Sequence, residues 1–340
     1  MNSSDNYYYI NIFNDALVNA YKYIVPIIYI LTNIENLLCM LIFSKKTWRK
    51  NVCVFYFQIY LFSNTCYINS TVLGTIFTYG YNINLQNSNI ILCKLFYYVA
   101  YVFAILSPTI LILASIDRLL ISSQNIDTRL YSSKRLAYFS ISLSTCFWII
   151  FNFHILIKVG IYELYPSVYL CYYDRSKSYR DFVSYYLAIV NICFCLIMII
   201  LCIFSFKNIR HIKIVRHRQR NQIRSMTKKD FQLLRCLFAH GIAYVFFRIG
   251  INMYFGYEAI TRDVIRTSLH QAIDIFLNNF LSLLFNISYS ISFFIYIIIS
   301  KAFRHELKRM IYKIFGRDLI PIRDVELNVV VVSCTVISPN

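Results

Sequence analysis

The sequence predicts an all-α membrane protein: a seven-transmembrane helix bundle followed by an amphipathic eighth helix. Three observations support this fold class. The chain of 340 residues is 58% hydrophobic and only 15% charged, whereas soluble domains carry about 25% charged residues. It contains seven apolar stretches, each at least as long as the roughly 20 residues that a helix needs to cross a bilayer. Its basic residues are concentrated between alternate stretches, on one predicted side of the membrane.

The seven predicted spans must be helical, because lipid offers no hydrogen-bond partner to a free backbone N–H or C=O group. They cover residues 24–43, 53–77, 90–121, 136–157, 182–206, 231–255 and 270–299. The chain therefore divides into an extracellular amino terminus (1–23), a seven-transmembrane domain (24–300), an interfacial amphipathic helix (301–316) and a cytoplasmic tail (317–340). With only 7 Gly and 5 Pro, continuous helices are expected.

The basic residues predict the orientation of the bundle. The third loop on the basic side, residues 207–229, contains nine Lys or Arg residues and no acid. The positive-inside rule places such loops in the cytosol and the amino terminus outside. Asn2 then lies outside, where its Asn-Ser-Ser sequence is a candidate glycosylation site. Membrane lipids are expected partners of these loops, and the charge placement argues against a nucleic-acid partner.

The predicted amphipathic helix follows the last span. In residues 301–315, apolar side chains recur at three- and four-residue spacing, with basic residues between them. This pattern is typical of a helix that lies in the plane of the membrane interface. The alternative is a tail that only binds lipid.

Cys93 and Cys171 are the two cysteines that this topology places outside, while the other nine lie in spans or inside. A disulfide between them is expected in an oxidising compartment, where it would hold the second outside loop over the bundle. The alternative is that both thiols stay free.

Asp117 and Arg118 are adjacent charges at the inner end of the third span. A charged residue inside a span is costly and usually has a function. The alternative is that the arginine only extends to the interface, as long basic side chains do at helix ends.

Together these residues resemble the rhodopsin-like family of G-protein-coupled receptors, over residues 25–315. Asp117-Arg118-Leu119 is similar to the family's Asp-Arg-Tyr sequence, and Cys93 and Cys171 match its external disulfide. Asn36, Trp148 and Tyr296 match further family positions. Asn64 takes the place of the family's second-helix Asp, and Tyr244 stands where its sixth-helix Phe is usual. The resemblance implies a plasma-membrane receptor that transmits binding of an extracellular ligand to a heterotrimeric G protein.

The resemblance also implies roles for single residues. Asp117, Arg118, Tyr244 and Tyr296 would form the switch for G-protein coupling. Asn36, Asn64, Ser107 and Ser292 would form an intramembrane polar network. This network offers no carboxylate, so no sodium site is expected, and no other metal or cofactor is predicted.

The chain departs from the family pattern at several positions. The prolines of the fifth, sixth and seventh helices are missing, and proline is the usual cause of a helix kink. Arg248 replaces the family's sixth-helix Trp. We expect Arg248 either to line the ligand pocket with Ala100, Tyr101 and Asn286, or to join a polar network with Asn64 and Asn286.

The sequence excludes some ligand classes and leaves others open. Ala100 replaces the Asp of amine receptors, and the absence of a Lys between residues 229 and 301 excludes an opsin. A Tyr-rich outer mouth suits a peptide or a small organic ligand, although Tyr is also common at membrane interfaces.

Other functions stay open at this point. A seven-span transporter or channel could use Glu35, His154, His240 and Arg248, and a receptor relative that does not signal is another alternative. An enzyme is not expected, because the spans contain no Ser-His pair at suitable spacing and no His-carboxylate metal cluster.

Overall fold

The computed structural model describes most of the chain, namely residues 3–49, 51–122, 132–165, 168–174, 176–218, 228–261, 264 and 266–315. Asn2, the tail 317–340 and much of the two longer basic loops lie outside the described residues. The predictions made for those parts of the sequence are not addressed by the structure.

The described chain is helical apart from one β-hairpin. The α-helices, numbered in chain order, are α1 (Ser3–Asn19), α2 (Val25–Phe43), α3 (Lys46–Arg49), α4 (Val52–Tyr67), α5 (Leu73–Thr75), α6 (Leu85–Ser88), α7 (Ile90–Ser122), α8 (Lys134–Phe151), α9 (Phe153–Lys158), α10 (Lys177–Arg218), α11 (Lys228–Thr261), α12 (Ser268–Ile287), α13 (Ser292–Ile299) and α14 (Lys301–Ile314). The structure also contains three π-helical stretches in its described part. Two of them join neighbouring α-helices, namely Ala20–Ile24 between α1 and α2 and Ile68–Val72 between α4 and α5, and the third follows α5 at Ile76–Gly80.

Five helices of the described chain are long and apolar enough to cross a membrane, or six if the bent pair α12 and α13 is one span. The five are Tyr7–Phe43, Ile90–Ile121, Lys134–Lys158, Asp181–Phe204 and Asp230–Glu258. This composition fits the predicted all-α membrane protein. The predicted second span, 53–77, is not among them, since α4 has only 16 residues before the first of its π-helical stretches.

Large apolar side chains cover the outside of these helices. Ile150 on α8 is 73% exposed, Phe246 on α11 70% and Ile298 on α13 73%. A water-soluble protein rarely exposes a continuous apolar surface of this kind, and the hydrocarbon core of a bilayer would cover it.

Polar caps set the start of several helices. Asn51 accepts a hydrogen bond from the backbone N–H of Cys53 at the start of α4, and Ser133 does the same for Leu136 in α8. Thr267 caps α12 and Ser300 caps α14 in the same way. Asn, Ser and Thr are favoured here because their side chains satisfy an N–H that has no partner in the helix.

The last predicted span, 270–299, is broken without a proline. α12 and α13 are bent by 42° at their junction, where Ser288, Tyr289 and Ser290 form a turn. The hydroxyl of Ser288 donates to the carbonyl of Phe285, 2.7 Å away. Such a side-chain bond competes with the helix's own hydrogen bonds, which explains how the chain bends here without the family's proline.

A short antiparallel hairpin that the sequence analysis did not predict lies between α9 and α10. Its strands are β1 (Val159–Tyr165) and β2 (Val168–Tyr173), with Ile161 opposite Cys171. Cys93 and Cys171 form a disulfide that ties β2 to the first turn of α7.

Candidate functional site

Arg118 lies at the end of α7 that is far from the disulfide, and its side chain is only 1% exposed. Its Nε and Nη2 donate to one carboxylate oxygen of Asp117 at 3.1 and 2.7 Å. Its Nη1 donates to a carboxylate oxygen of Asp230, on the first turn of α11, at 3.0 Å. Arg118 thus joins α7 to α11 through Asp230, while its contact with Asp117 stays within α7.

Two further polar side chains orient these carboxylates. Asn51 donates to Asp230 at 2.5 Å while its own oxygen caps α4. Ser132, just before α8, donates to Asp117 at 2.6 Å. We call these five residues the carboxylate node. Because charge-assisted hydrogen bonds satisfy both acids, the buried pair avoids the large cost of an unpaired buried charge.

A second polar contact holds the same end of α11. The side-chain oxygen of Gln232 accepts hydrogen bonds from the Ser300 hydroxyl at 3.1 Å and the Ala302 backbone N–H at 3.2 Å. The start of α11 is therefore attached to α7 by an ion pair and to the junction of α13 and α14 by hydrogen bonds.

Tyr296 belongs to a different cluster from Arg118. Its ring lies 5.0 Å from Phe43, 5.2 Å from Phe57 and 5.2 Å from His240, centroid to centroid. Tyr296 is fully buried, and its hydroxyl has no hydrogen-bond partner among the described residues. The structure therefore places this predicted switch residue beside α2, α4 and α11, inside an aromatic cluster.

Arg248, in the middle of α11, is 2% exposed and sits among aromatic rings. The guanidinium carbon lies 4.0 Å from the ring centroid of Phe285 and 4.4 Å from that of Tyr244. Nη1 donates to the Tyr244 hydroxyl at 3.3 Å, and Nη2 to the Tyr289 hydroxyl at 2.6 Å. We call Arg248, Tyr244, Phe285 and Tyr289 the aromatic cage.

The polar network predicted for Arg248 was wrong in its partners. Its hydrogen bonds in the described chain go to Tyr244 and Tyr289, and not to Asn64 or Asn286. Asn286 instead accepts from Tyr67 at 3.3 Å. A planar guanidinium stacks well on aromatic faces, and the turn after α12 brings Tyr289 within reach.

The predicted inner polar network is only partly connected. Ser107 donates to Asn64. Asn36 and Ser292 are buried nearby in the bundle, yet the Asn36 amide nitrogen and the Ser292 hydroxyl have no hydrogen-bond partner within the described ranges.

Two cavities separate residues that were predicted to share a ligand pocket. Tyr101 lines a narrow cavity near the hairpin with Tyr97 and Tyr179. Arg248 lines the other cavity, and Ala100 and Asn286 line neither of these two.

The end of α7 with the disulfide is covered by the hairpin. Besides the disulfide, the Cys171 backbone N–H donates to Asn87 at 2.9 Å, and the Tyr97 hydroxyl donates to the Cys171 carbonyl at 3.3 Å. On the hairpin's exposed edge, the Ser176 backbone N–H and the Lys158 ammonium together hold the pKa of Asp174 below its usual range.

Comparison with known proteins adds no identification. No protein-family model matches the chain, and no curated protein sequence matches it. Within the described ranges, no group of three or more His, Cys, Asp or Glu side chains is placed to hold a metal ion.

Sequence reasoning missed the partners that complete both sites. Asp230 is the first acid after the basic loop 207–229, and Asn51 immediately precedes an apolar run, where a capping residue is expected. Both signals were present in the sequence. Tyr289 could not be found in this way, because its approach to Arg248 depends on the bend after α12.

Proposed function

We propose that this chain is a plasma-membrane receptor of the rhodopsin-like G-protein-coupled family, with its amino terminus extracellular. It would couple binding of an extracellular ligand to a cytosolic heterotrimeric G protein. The observation that carries the proposal is the carboxylate node, in which Arg118 on α7 is held by Asp230 on the first turn of α11.

The helix count supports the proposal. Residues 52–80 form one continuous helical run that alternates between α-helix and π-helix. Counting this run and the bent pair α12 and α13 as one span each, with the five long helices, gives seven. An odd number of spans places the amino terminus and α14 on opposite sides of the membrane.

The two ends of α7 differ in a way that suits signalling. Cys93 and Arg118 are 25 positions apart, or about 37 Å along a helix. The Cys93 end is joined covalently to the hairpin, whereas the contacts of the Arg118 end are non-covalent, including the ion pair with Asp230. A ligand bound near the disulfide would leave the packing of that end of α7 unchanged. At the Arg118 end, α7 and α11 could move apart.

Opening would move the first turn of α11 away from α7. This movement separates Arg118 from Asp230 and Gln232 from Ser300, and it exposes a polar cleft for the G protein. A ligand shifts the equilibrium only if it binds the open arrangement more tightly. Tyr296, whose hydroxyl is unpartnered among the described residues, would gain a polar partner in that cleft.

The amphipathic helix α14 would lie on the membrane beside this cleft. Phe303 is fully buried against Tyr296, and the Lys45 ammonium contacts the Glu306 carboxylate at 2.8 Å. The Arg304 guanidinium donates to the carbonyls of Ile297 and Ile298 on α13. The other basic side chains of α14 would face anionic lipid.

Because the ligand is unknown, the test uses ligand-independent activity. The full chain and its Asp230→Asn variant would be reconstituted in nanodiscs with a panel of G proteins from each main class, and nucleotide exchange would be measured. We expect Asp230→Asn to raise exchange severalfold on at least one G protein, because the node loses one of its two carboxylates.

Adding Arg118→Ala to Asp230→Asn should return exchange to the rate of empty nanodiscs. Arg235→Ala, an exposed arginine on the same helix, serves as the matched control and should leave exchange unchanged. If neither the wild type nor Asp230→Asn promotes exchange on any G protein, or if the double variant keeps full exchange, the proposal is wrong.

A further inference from the structure

We propose that a polar cluster on the surface of α2 is the contact through which two copies of this chain associate in the membrane. The cluster consists of Tyr29 and Asn33 on α2 and Asn69 in the π-helical stretch Ile68–Val72. We call these three residues the peripheral cluster. This inference goes beyond the proposed receptor function, because it requires only that α2 crosses a membrane.

Side-chain hydrogen bonds join the three residues of the peripheral cluster. The Tyr29 hydroxyl donates to the side-chain oxygen of Asn69 at 2.7 Å, and the Asn69 amide donates to the side-chain oxygen of Asn33 at 2.7 Å. Asn69 is exposed, and Tyr29 and Asn33 are partly exposed. The cluster therefore lies open on the outside of the helices rather than inside the bundle.

Asn33 lies near the middle of the membrane. Lys22 and Lys45 flank the apolar part of this helix, 11 residues before Asn33 and 12 residues after it. These separations correspond to about 17 and 18 Å along a helix, and a charged side chain is costly inside the hydrocarbon core. Because that core is about 30 Å thick, the two lysines mark its edges and Asn33 lies about halfway between them.

Lipid offers this cluster no hydrogen-bond partner at that depth, since the polar groups of lipids lie at the two interfaces. Polar side chains within membrane spans almost always face the bundle interior or a water-filled cavity. Where asparagine lies between two membrane helices, its hydrogen bonds hold those helices together. An exposed cluster of this kind therefore indicates that another helix covers it.

The hydrogen-bonding capacity of Asn33 favours a second copy of this chain as the partner. Its amide donates one N–H to the Tyr29 carbonyl at 3.0 Å, and an amide has two N–H groups. The other N–H has no partner within the described residues, and the oxygen keeps a second lone pair. One side chain thus offers a donor and an acceptor, so two copies related by a two-fold axis can satisfy each other.

The depth of Asn33 favours the same partner. A second copy inserted in the same orientation presents its own Asn33 at the same depth, with its α2 parallel to the first. A different membrane protein would need a polar group at this depth by coincidence.

An apolar stripe on the same helix provides the rest of the contact surface. Its residues are all exposed and recur at alternating three- and four-residue spacing: Ile27, Ile30, Ile34, Leu37 and Leu41. This spacing allows two parallel helices to pack along one seam. Ile30 and Leu37 lie three residues before and four residues after Asn33, so they are its neighbours on the helix surface. A polar residue at such a seam sets the register of the pair.

The test measures self-association of the full chain in liposomes. Two pools of the chain, fused at the carboxy terminus to a donor or an acceptor fluorescent protein, would be mixed over a wide range of protein-to-lipid ratios. We expect energy transfer that saturates as the protein density rises. Asn33→Leu should move the midpoint to about tenfold higher protein density, since each copy loses its polar contact.

Asn191→Leu is the matched control. Asn191 on α10 is also partly exposed and donates to the carbonyl four residues earlier, that of Leu187, but it does not belong to the peripheral cluster. Its substitution should leave the midpoint unchanged. Leu37→Trp adds bulk to the apolar stripe without altering the cluster, so it should weaken association as well and replaces Asn33→Leu if that variant does not fold.

Three results would overturn the proposal. The first is energy transfer in the wild type no greater than that of two membrane proteins that do not associate, which would also be the result if a different protein covers the cluster. The second is an unchanged midpoint in Asn33→Leu, or in Leu37→Trp where it takes the place of Asn33→Leu. The third is a shift in Asn191→Leu as large as that in Asn33→Leu.

Discussion

Arg118 and Arg248 are both almost fully buried, yet the chain balances their charges in different ways. Arg118 is paired with two carboxylates, one on its own helix and one on α11. Arg248 lies against three aromatic rings and two hydroxyls. An ion pair between helices fixes one arrangement of those helices and is lost when they move apart. An aromatic cage offers weaker attraction and contains no carboxylate.

The largest change in the free energy of unfolding is expected when Arg118, the cation of the carboxylate node, is removed. Arg118→Leu leaves Asp117 and Asp230 close together without their counter-charge. Breaking a buried ion pair in this way costs about 3–5 kcal/mol, so we expect a loss of that size in the free energy of unfolding. Reversible unfolding in bicelles would measure it.

Arg235→Leu is the matched control for this loss, because Arg235 is exposed on α11. The Arg235 guanidinium lies 4.9 Å from the centroid of the Phe231 ring, and losing an exposed contact of this kind should alter the free energy of unfolding by about 1 kcal/mol or less. If Arg118→Leu is no more destabilising than Arg235→Leu, the node does not hold α7 to α11.

A smaller effect is expected when the cation of the cage is removed. Arg248→Met leaves no carboxylate behind, and only the Tyr244 and Tyr289 hydroxyls lose a partner. Each unsatisfied hydroxyl costs about 1 kcal/mol, so the loss should stay below about 2 kcal/mol. A loss equal to that of Arg118→Leu would show that the two arginines are not balanced differently.

The smallest effect is expected at the ion pair of Lys158 and Asp174, which is exposed to solvent, unlike the two buried arginines. The pKa of Asp174 is lowered by the Ser176 backbone N–H first and by Lys158 second. Lys158→Gln should therefore raise this pKa only part of the way toward the usual value of about 3.9. Carboxyl NMR titration would measure it, and a complete return would assign the whole effect to Lys158.

The sign of the pH effect at Asp174 follows from the same shift. Because the folded pKa lies below the unfolded one, the interaction stabilises the folded hairpin above the unfolded pKa. This stabilisation is lost as the pH falls through the folded pKa. Near neutral pH, Asp174→Asn should leave the melting temperature almost unchanged, as is usual for an exposed pair.

The sequence predicted the helical class and the disulfide, because both depend on local composition and topology. Apolar length marks a membrane helix wherever it occurs, and two outside cysteines have few partners to choose from. The contacts of Arg248 could not be predicted, since Tyr289 reaches it only through a bend that no proline marks. The hairpin was also missed, because its strands are short and carry Tyr and Leu in no clear alternation.

The boundary of the first span shows a related limit. The sequence placed it at residue 24, where the polar amino-terminal segment ends, but the helix continues back to Tyr7 without interruption. Hydropathy detects the part of a helix that lipid surrounds, and it gives no signal where the same helix leaves the membrane.

The first helix is longer than a membrane is thick. Its 37 residues extend about 55 Å, whereas a hydrocarbon core is about 30 Å thick. Its amino-terminal part packs along the bundle, because Phe13 contacts Phe276 of α12 at 5.1 Å between ring centroids. In a bilayer, such a helix either tilts or extends beyond the hydrocarbon core at one end, and the contact with α12 means that α12 follows it.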